Sequence, residues 1–323
     1  MGAIMISVRR VLLAVISMML VILAVAALVV RQPSFRTKPY AAKTRASALI
    51  LRQHVEFFTT AVRPRGAEWP ENLDRAAAYI SERFHAAGAR VTEQSFAVRG
   101  RTYRNVIADF GPATGARLIV GAHYDAFTAT GDLPGADDNA SGTAGLLELA
   151  RLLGIHPPQK PVELVAFTTE EPPFFGSDEM GSAVHAAQLQ RDGIAVAGMI
   201  CLEMIGYFHG RQSWPSALLG ALYPSEGNFI AVTGGWQDAA FARDLKAAIR
   251  GAGGVNVVSF NSPREMLDAS DQRNYWSRGW RAVMVTDTAY FRNPNYHTKN
   301  DTADTLDYEK MARVVDGVFN AVR

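Results

Sequence analysis

The sequence predicts a three-layer α/β protein in which helices cover both faces of a largely parallel sheet. From about residue 90 onward, apolar strand-like segments alternate with helical segments, a pattern typical of parallel sheets. Two of the strand segments, 117–125 and 161–171, begin as unbroken apolar runs, as expected for strands buried on both faces. The chain has 323 residues and is 48% hydrophobic, which is enough for one large globular core.

Two helices and two strands are expected before the parallel part of the sheet. A helical pattern begins at Ala46, and a second helix covers 73–87 and ends before Gly88, where a glycine cap is expected. Segments 91–98 and 105–110 then have the composition of a pair of early strands.

The rest of the chain continues the alternation. The expected strands are 117–125, 161–171, 197–204, 255–260 and 281–288, and the expected helices lie near 142–153, 179–190, 238–252 and 308–322. Residues 206–236 are rich in glycine, proline and aromatic residues and have no clear period. Long stretches of this kind usually carry function, so we expect a loop that covers a site.

The N-terminus contains a candidate membrane anchor. Residues 11–30 form a run of twenty residues without a charge or a proline, long enough for a helix to cross a hydrocarbon core of about 30 Å. Arg9 and Arg10 precede the run and favour a cytoplasmic N-terminus. We therefore expect a cytoplasmic segment 1–10, a single-pass anchor 11–30 in the cell (inner) membrane, a basic linker 31–45 and an extracytoplasmic domain 46–323.

A cleaved signal peptide is the alternative interpretation of the same run. Ala24, Val25 and Ala26 have the small-residue pattern of a cleavage site, and the mature protein would then be periplasmic or secreted. We favour the uncleaved anchor because the apolar sequence continues through Val30.

Charge and cysteine content exclude several classes of function. The net charge is only +2 and the charges form no long run of one sign, so no nucleic-acid partner is expected. Cys201 is the single cysteine. An internal disulfide and a thiolate metal cluster are therefore impossible, and we interpret Cys201 as a buried thiol.

Polar residues collect where the predicted strands end. In open α/β sheets, ligands bind beyond the carboxyl ends of the strands. The residues concerned are His123, Asp125, Asp137, Glu170, Glu171, Glu203 and His297. His123 and Asp125 are two apart and share one face of a strand, so the carboxylate can orient the imidazole of a metal-binding histidine.

These side chains form a ligand set of the zinc type. Two histidines with several carboxylates are ligands that suit Zn²⁺ better than Ca²⁺. Co²⁺ and Mn²⁺ could occupy the same site. Carboxylates gathered this closely repel one another strongly. Two divalent cations would balance three ligating carboxylates and a bridging hydroxide, whereas one cation would not, so we expect two zinc ions.

The motifs resemble those of metallopeptidase family 28. HYD, PGADDNASG, TTEE followed by GS, LEMIGY and YHTKNDT occur in the order and approximate spacing of that family, from about Leu49 to the end of the chain. The family contains bacterial leucyl-type aminopeptidases, glutamate carboxypeptidases and glutaminyl cyclases.

The resemblance implies a mixed, eight-stranded sheet and a co-catalytic dizinc site. It implies that His123 and Glu203 hold one zinc, that Glu171 and His297 hold the other, and that Asp137 bridges the two ions. It also implies that Asp125 orients His123, that Glu170 is the general base, and that a cis peptide joins Asp137 and Asp138.

Two positions depart from the family pattern. Glu203 stands where the family usually has aspartate, and Gln272 follows Ser270 and Asp271 where the family often has histidine. The longer side chain at position 203 can still reach a metal ion, and position 272 contributes no ligand.

The expected activity is that of a zinc-dependent exopeptidase. We expect an aminopeptidase, which hydrolyses the N-terminal peptide bond of peptides with a hydroxide that bridges two metal ions. Aromatic side chains of the 206–236 segment could form an apolar specificity pocket or simply pack the loop: Tyr207, Phe208, Trp214, Tyr223, Phe229 and Trp236.

Other activities of the same fold stay open. Arg264 and Arg273 could bind a substrate carboxylate, which would give a carboxypeptidase. A glutaminyl cyclase would use one zinc, and a receptor-like homologue without catalysis would have lost ligands.

Overall fold

A computed structural model describes residues 2–32 and 36–323, and its described residues form an eight-stranded mixed sheet between helical layers. The spatial order of the strands is β1-β2-β4-β3-β5-β8-β6-β7. The strands are β1 Arg90–Val98, β2 Arg101–Phe110, β3 Arg117–His123, β4 Val162–Phe167, β5 Val196–Leu202, β6 Phe229–Gly235, β7 Asn256–Ser262 and β8 Ala282–Thr286. The predicted fold class is confirmed.

The central strands β4, β3, β5 and β8 are parallel to one another. Their carboxyl ends therefore lie at one edge of the sheet. Gly121 sits in the middle of β3, and a Cβ atom there would lie 2.2 Å from the ring of Phe167. The close contact between β3 and its neighbour thus requires glycine at this position.

Helices cover both faces of this sheet. The helices of the domain are α2 Ala48–Glu56, α3 Pro70–Ala86, α4 Gly142–Ile155, α5 Gly181–Arg191, α6 Ala217–Leu222, α7 Ala239–Ala252, α8 Gln272–Trp276 and α9 Tyr308–Val322. Helices α2, α3, α4, α7 and α9 contact one another on one face, and α5 contacts α8 on the other. Each helical layer buries its own apolar cluster against the sheet, which produces the three layers.

The segment 206–236 differs from its prediction as a continuous loop. It contains the short helix α6 and the strand β6, which is antiparallel to β8 and parallel to β7. All seven residues of β6 are buried and two of them are glycines. The apolar run of β6 covers only residues 229–232, and the glycines at its end are typical of turns, so the sequence pattern does not reveal this strand.

The N-terminal residues form one long helix, α1 Gly2–Arg31. An 18-residue window within its segment Val8–Arg31 has a mean hydropathy of 3.1, and no part of that window is buried. Length and composition thus agree with the predicted membrane span.

Arg65 joins the N-terminal helices to the loop that follows β3. The side chain is fully buried, and its guanidinium donates to the carbonyl oxygens of Tyr124 at 3.0 Å, Pro134 at 2.9 Å and Gly135 at 2.8 Å. It also donates to the carbonyl of Phe58. One side chain therefore satisfies four buried carbonyl groups and holds the polypeptide that leads to Asp137 and Asp138.

Replacing this buried guanidinium should destabilise the fold. In Arg65→Met, four buried carbonyls lose their donor, and we expect the free energy of unfolding to fall by roughly 3–5 kcal/mol. The measurement is urea unfolding of the full chain in detergent, followed by circular dichroism.

Arg63→Met is the matched control. Arg63 binds the same loop through an exposed ion pair with Asp132 at 2.9 Å, and exposed pairs contribute no more than about 1 kcal/mol. Equal losses in the two variants would contradict the role assigned to Arg65.

Candidate metal and active site

The carboxyl edge of the sheet carries the side chains that the sequence singled out. His123 is the last residue of β3, Glu203 follows β5 directly, and the pair Glu170 and Glu171 follows β4. His297 lies in the loop after β8. The side chains of His123, Glu170 and Glu171 are buried, with at most 5% of each residue exposed. The parallel arrangement thus brings together residues that are far apart in the chain.

The side chains form two groups that share one residue. His123, Asp138 and Glu203 make up the first group, and Asp138, Glu171 and His297 the second, with ligand atoms within 4.8 Å of one another in each. Asp138 Oδ1 lies 3.4 Å from His123 Nε2, and Asp138 Oδ2 lies 3.0 Å from His297 Nε2. One carboxylate therefore turns an oxygen towards each histidine.

The remaining ligand atoms complete each group. Glu203 Oε2 lies 3.3 Å from His123 Nε2, and Glu171 Oε1 lies 3.5 Å from His297 Nε2. Glu171 Oε1 and His297 Nε2 are buried and make no hydrogen bond within the described residues. Each group offers one imidazole nitrogen and two carboxylates, a donor set that suits zinc. The residues present therefore fit two divalent cations.

The shared residue is Asp138, which corrects the prediction for Asp137. Asp137 Oδ1 accepts a hydrogen bond from the backbone N–H of Gly206 at 3.0 Å, and Oδ2 accepts one from Asn293 Nδ2 at 2.8 Å. Its carboxylate is thus engaged away from both groups. The cis peptide likewise joins Asp138 and Asn139, one residue later than predicted.

Two residues that were not singled out hold Asp138 in place. Both carboxylate oxygens of Asp301 accept backbone hydrogen bonds, from Asp137 N at 2.9 Å and from Asp138 N at 3.1 Å. The Asn139 side chain donates to Leu202 O at 2.9 Å and accepts from the backbone N–H of Met204 at 3.1 Å. Both lie inside the quoted motifs, but their supporting role depends on contacts that sequence spacing does not reveal.

Asp125 connects the end of β3 to the loop that follows β4. Its Oδ1 accepts from Glu170 N at 3.2 Å and its Oδ2 accepts from Glu171 N at 3.0 Å. The same carboxylate lies 3.5 Å from His123 Nδ1. Asp125 therefore positions both glutamates and the first histidine.

Glu170 borders the cluster without belonging to either group. Its Oε2 lies 3.8 Å from His123 Nε2, farther than the carboxylate oxygens of Asp138 and Glu203. Glu203 Oε2 also accepts a hydrogen bond from Ser270 Oγ at 2.6 Å, which orients that carboxylate. The Glu170 carboxylate is thus adjacent to the metal-type groups and available for proton transfer.

Burial and mutual repulsion shift the pKa values of these groups. Burial raises the pKa of Glu171 to about 7, and the charge of Asp138 adds to the rise. Burial also raises the pKa of Glu170 well above its ordinary value, with Glu171 and Glu203 contributing. Burial alone would lower the pKa of His297, but the Asp138 and Glu171 carboxylates raise it to about 10. Without cations, the cluster thus holds protons tightly.

Other residues considered from sequence lie elsewhere. Arg264 is paired with the buried carboxylate of Asp238 at 2.9 Å, and Arg273 lies over the Phe175 ring at 4.9 Å. Both guanidinium groups thus make contacts with residues other than the candidate metal-ligand side chains. The six aromatic residues of segment 206–236 are also dispersed: Phe229 belongs to β6, Trp214 and Tyr223 stack near it, and Trp236 is exposed.

Comparisons with known proteins show which proteins the chain is similar to. The sequence model of Peptidase family M28 matches residues 105–322. The uncharacterized protein YfbL of Escherichia coli K12 is 50% identical over 284 residues, which cover 85% of this chain and 87% of that protein. Relatives named leucine aminopeptidase 1 match at lower identity, and the chain spans about half of their length.

Solved structures of peptidases share the fold. The LapA aminopeptidase of Legionella pneumophila superposes with a TM-score of 0.70 at 18% identity, covering 86% of this chain and 71% of LapA. A Zn-dependent exopeptidase from Parabacteroides distasonis superposes with a TM-score of 0.65 at 19% identity, covering 87% of this chain and 99% of that one.

The raised pKa values predict how the stability of the chelated protein, from which a chelator has removed all metal ions, depends on pH. Glu171 and His297 bind protons more tightly when folded, since their ordinary pKa values are 4.5 and 6.5 and their folded values are about 7 and about 10. Their contribution to stability is complete below the ordinary values and is lost as the pH rises through the folded values. We expect the melting temperature of the chelated protein to fall between pH 5 and pH 10.

Added zinc should reverse this trend, because ligands must lose their protons to bind a metal ion. The melting temperature gained on adding zinc should grow with pH over the same range. The control is His297→Ala, which should show a shallower fall when chelated. A chelated protein that becomes more stable as the pH rises would contradict the assignment.

Proposed function

The chain belongs to peptidase family M28, and from this premise we propose that it is a dizinc exopeptidase that removes residues from the N-terminus of peptides. The observation that carries the proposal is the position of Asp138, whose two oxygens face two different histidines. An intact donor set in both groups favours an active hydrolase over a receptor-like homologue, in which lost ligands are expected.

We assign the metal ligands from the two groups. His123 and Glu203 would hold one ion, Glu171 and His297 the other, and Asp138 would bridge them. Zinc is the ion of the P. distasonis exopeptidase of the same fold. When bound, such ions would acidify a water molecule and polarise the carbonyl group of the scissile bond.

The chain's own residues would transfer the proton. Glu170 would accept the proton of the attacking water as the new C–O bond forms, and would return it to the leaving amine as the C–N bond breaks. Glu170 must be deprotonated to accept that proton, and the two cations would lower the pKa that burial raises in the metal-free cluster. Asp125 would support catalysis by fixing the backbone at Glu170 and Glu171.

An aminopeptidase is favoured over a carboxypeptidase by the charges around the site. The two arginines that could have bound a C-terminal carboxylate are both paired with aspartates of the chain, Arg264 with Asp238 and Arg273 with Asp268. A glutaminyl cyclase, which would use one zinc, is disfavoured because the group of His123 and Glu203 is present beside the second group.

The proposed setting is the outer side of the inner membrane. The helix α1 would anchor the chain, with the domain 46–323 on the extracytoplasmic side, because Arg9 and Arg10 precede the apolar span. Peptides in that compartment would then be the substrates.

The two adjacent aspartates allow a direct test of the ligand assignment. Asp138→Asn should lose most of its bound zinc, because it removes the charge that both groups share. Asp137→Asn should keep its zinc, because the new amide oxygen can still accept the hydrogen bond of Gly206 N. The measurement is metal analysis by mass spectrometry after dialysis, and the reverse order of zinc loss would contradict the assignment.

Hydrolysis of a substrate panel tests the activity. The panel contains aminoacyl-p-nitroanilides with a free amine, the same compounds N-acetylated, and N-blocked peptides with a free C-terminus. We expect cleavage of the free-amine compounds alone. In Glu170→Gln, kcat should fall by about 100-fold to 10,000-fold, while the zinc content stays unchanged.

Glu179→Gln is the control for the charge change. Glu179 lies on the same segment but pairs with Arg99 at the surface, so this variant should keep full activity. Cleavage of N-blocked peptides at their C-terminus would replace the aminopeptidase with a carboxypeptidase, and full activity of Glu170→Gln would remove the general base.

A further inference from the structure

Side chains of the domain form hydrogen bonds with the C-terminal end of α1. The last carbonyl groups of a helix have no partner within the helix. Here two side chains of the domain bind such groups, and a third binds the carbonyl of the next residue. Tyr223 OH donates to Val30 O at 2.9 Å, Ser259 Oγ donates to Arg31 O at 3.4 Å, and Lys246 Nζ donates to Gln32 O at 3.2 Å. The positive charge of Lys246 also suits the negative end of the helix dipole.

This contact sets the height of Tyr223 relative to a membrane that α1 spans. The uncharged run of residues 11–30 has twenty residues, which corresponds to about 30 Å of helix at 1.5 Å per residue. A hydrocarbon core is about 30 Å thick. Val30 therefore lies near the headgroup boundary, and Tyr223 is held at the same level.

The helix α6 ends directly before Tyr223 and has an apolar surface that the domain does not cover. No residue of α6 is buried, and Leu218 is 63% exposed. Residues 212–225 contain no charged side chain, so contact with lipid would not remove a charge from water.

The same segment carries aromatic residues of the type found at membrane boundaries. Trp214 packs against the Tyr223 ring at 4.8 Å between centroids, and its Nε1 donates to Pro224 O at 2.9 Å. Tryptophan and tyrosine are enriched where the bilayer meets water. The segment is thus folded onto the domain, with Leu218 exposed and Leu219 and Leu222 half-buried.

We propose that residues 214–223 lie in the headgroup boundary of the bilayer that α1 spans and form a second membrane contact of the domain. The partner is the lipid surface, because the segment adjoins the point where α1 leaves the membrane. The inference rests on retention of α1 and is independent of the proposed peptidase activity.

Two lipid contacts would fix how the domain sits on the membrane. With α1 as the single membrane contact, the domain could tilt relative to the bilayer. A second contact at α6 would restrict this tilt. The backbone N–H of Ser213 donates to Phe291 O at 2.8 Å, so the membrane-facing segment is also tied to the loop that carries His297.

Site-specific labelling of the full chain in lipid nanodiscs tests the proposal. Leu218→Cys is labelled with an NBD fluorophore, and the native Cys201 is buried, so it does not compete. The lipids carry a nitroxide quencher near the top of the acyl chain. We expect the label to lose about half of its emission, because interfacial helices lie about 5–10 Å into the headgroup and acyl boundary.

Ser95→Cys is the matched control. Ser95 is exposed on β1, at the edge of the sheet opposite β7, about 34 Å across seven strand spacings, and its label should keep its emission. Equal quenching at both positions would overturn the proposal. A label at position 218 that is shielded from aqueous iodide but not quenched by the lipid would also overturn it and indicate a protein partner or a second copy.

Discussion

The close approach of acidic side chains at one edge of the sheet is the constraint on which the rest of the structure depends. Asp138, Glu170, Glu171 and Glu203 are buried around two histidines, and carboxylates removed from water repel one another strongly. The cluster therefore needs either protons or cations. A pair of divalent ions satisfies it with the donor atoms already in place, and the placement of Asp138 between both histidines is the central feature.

Several surrounding residues hold the Asp138 carboxylate in its position. Asp301 accepts the backbone hydrogen bonds that orient Asp137 and Asp138, and Asn139 attaches the turn to the end of β5. Arg65 holds the loop that precedes Asp137 by donating hydrogen bonds to the carbonyl groups of Pro134 and Gly135. Most of these partners are buried polar groups whose hydrogen bonds are costly to break. A site of this kind is thus rigid before any ligand arrives, as catalysis by positioned groups requires.

The apolar helix α1 and the domain are linked by more than the polypeptide chain. Side chains from β7, from α7 and from the segment after α6 bind the carbonyl end of α1. A flexible tether would leave the domain free to rotate relative to this helix. The contacts of Tyr223 and Lys246 instead couple the direction of the helix to the orientation of the sheet, and with it the direction in which the site opens.

The sequence by itself determined the fold class, the apolar N-terminal helix and most of the residues that meet at the site. Parallel strands bring their carboxyl ends to one edge, so polar residues after several strands identify that edge without coordinates. It missed β6, because the apolar run of this strand is short and ends in two glycines, which are typical of turns. It also placed the shared carboxylate at Asp137 instead of Asp138. Only the tertiary structure decided between these neighbours, because their directions are set by hydrogen bonds to Asp301, Asn293 and Gly206, which are distant in the chain.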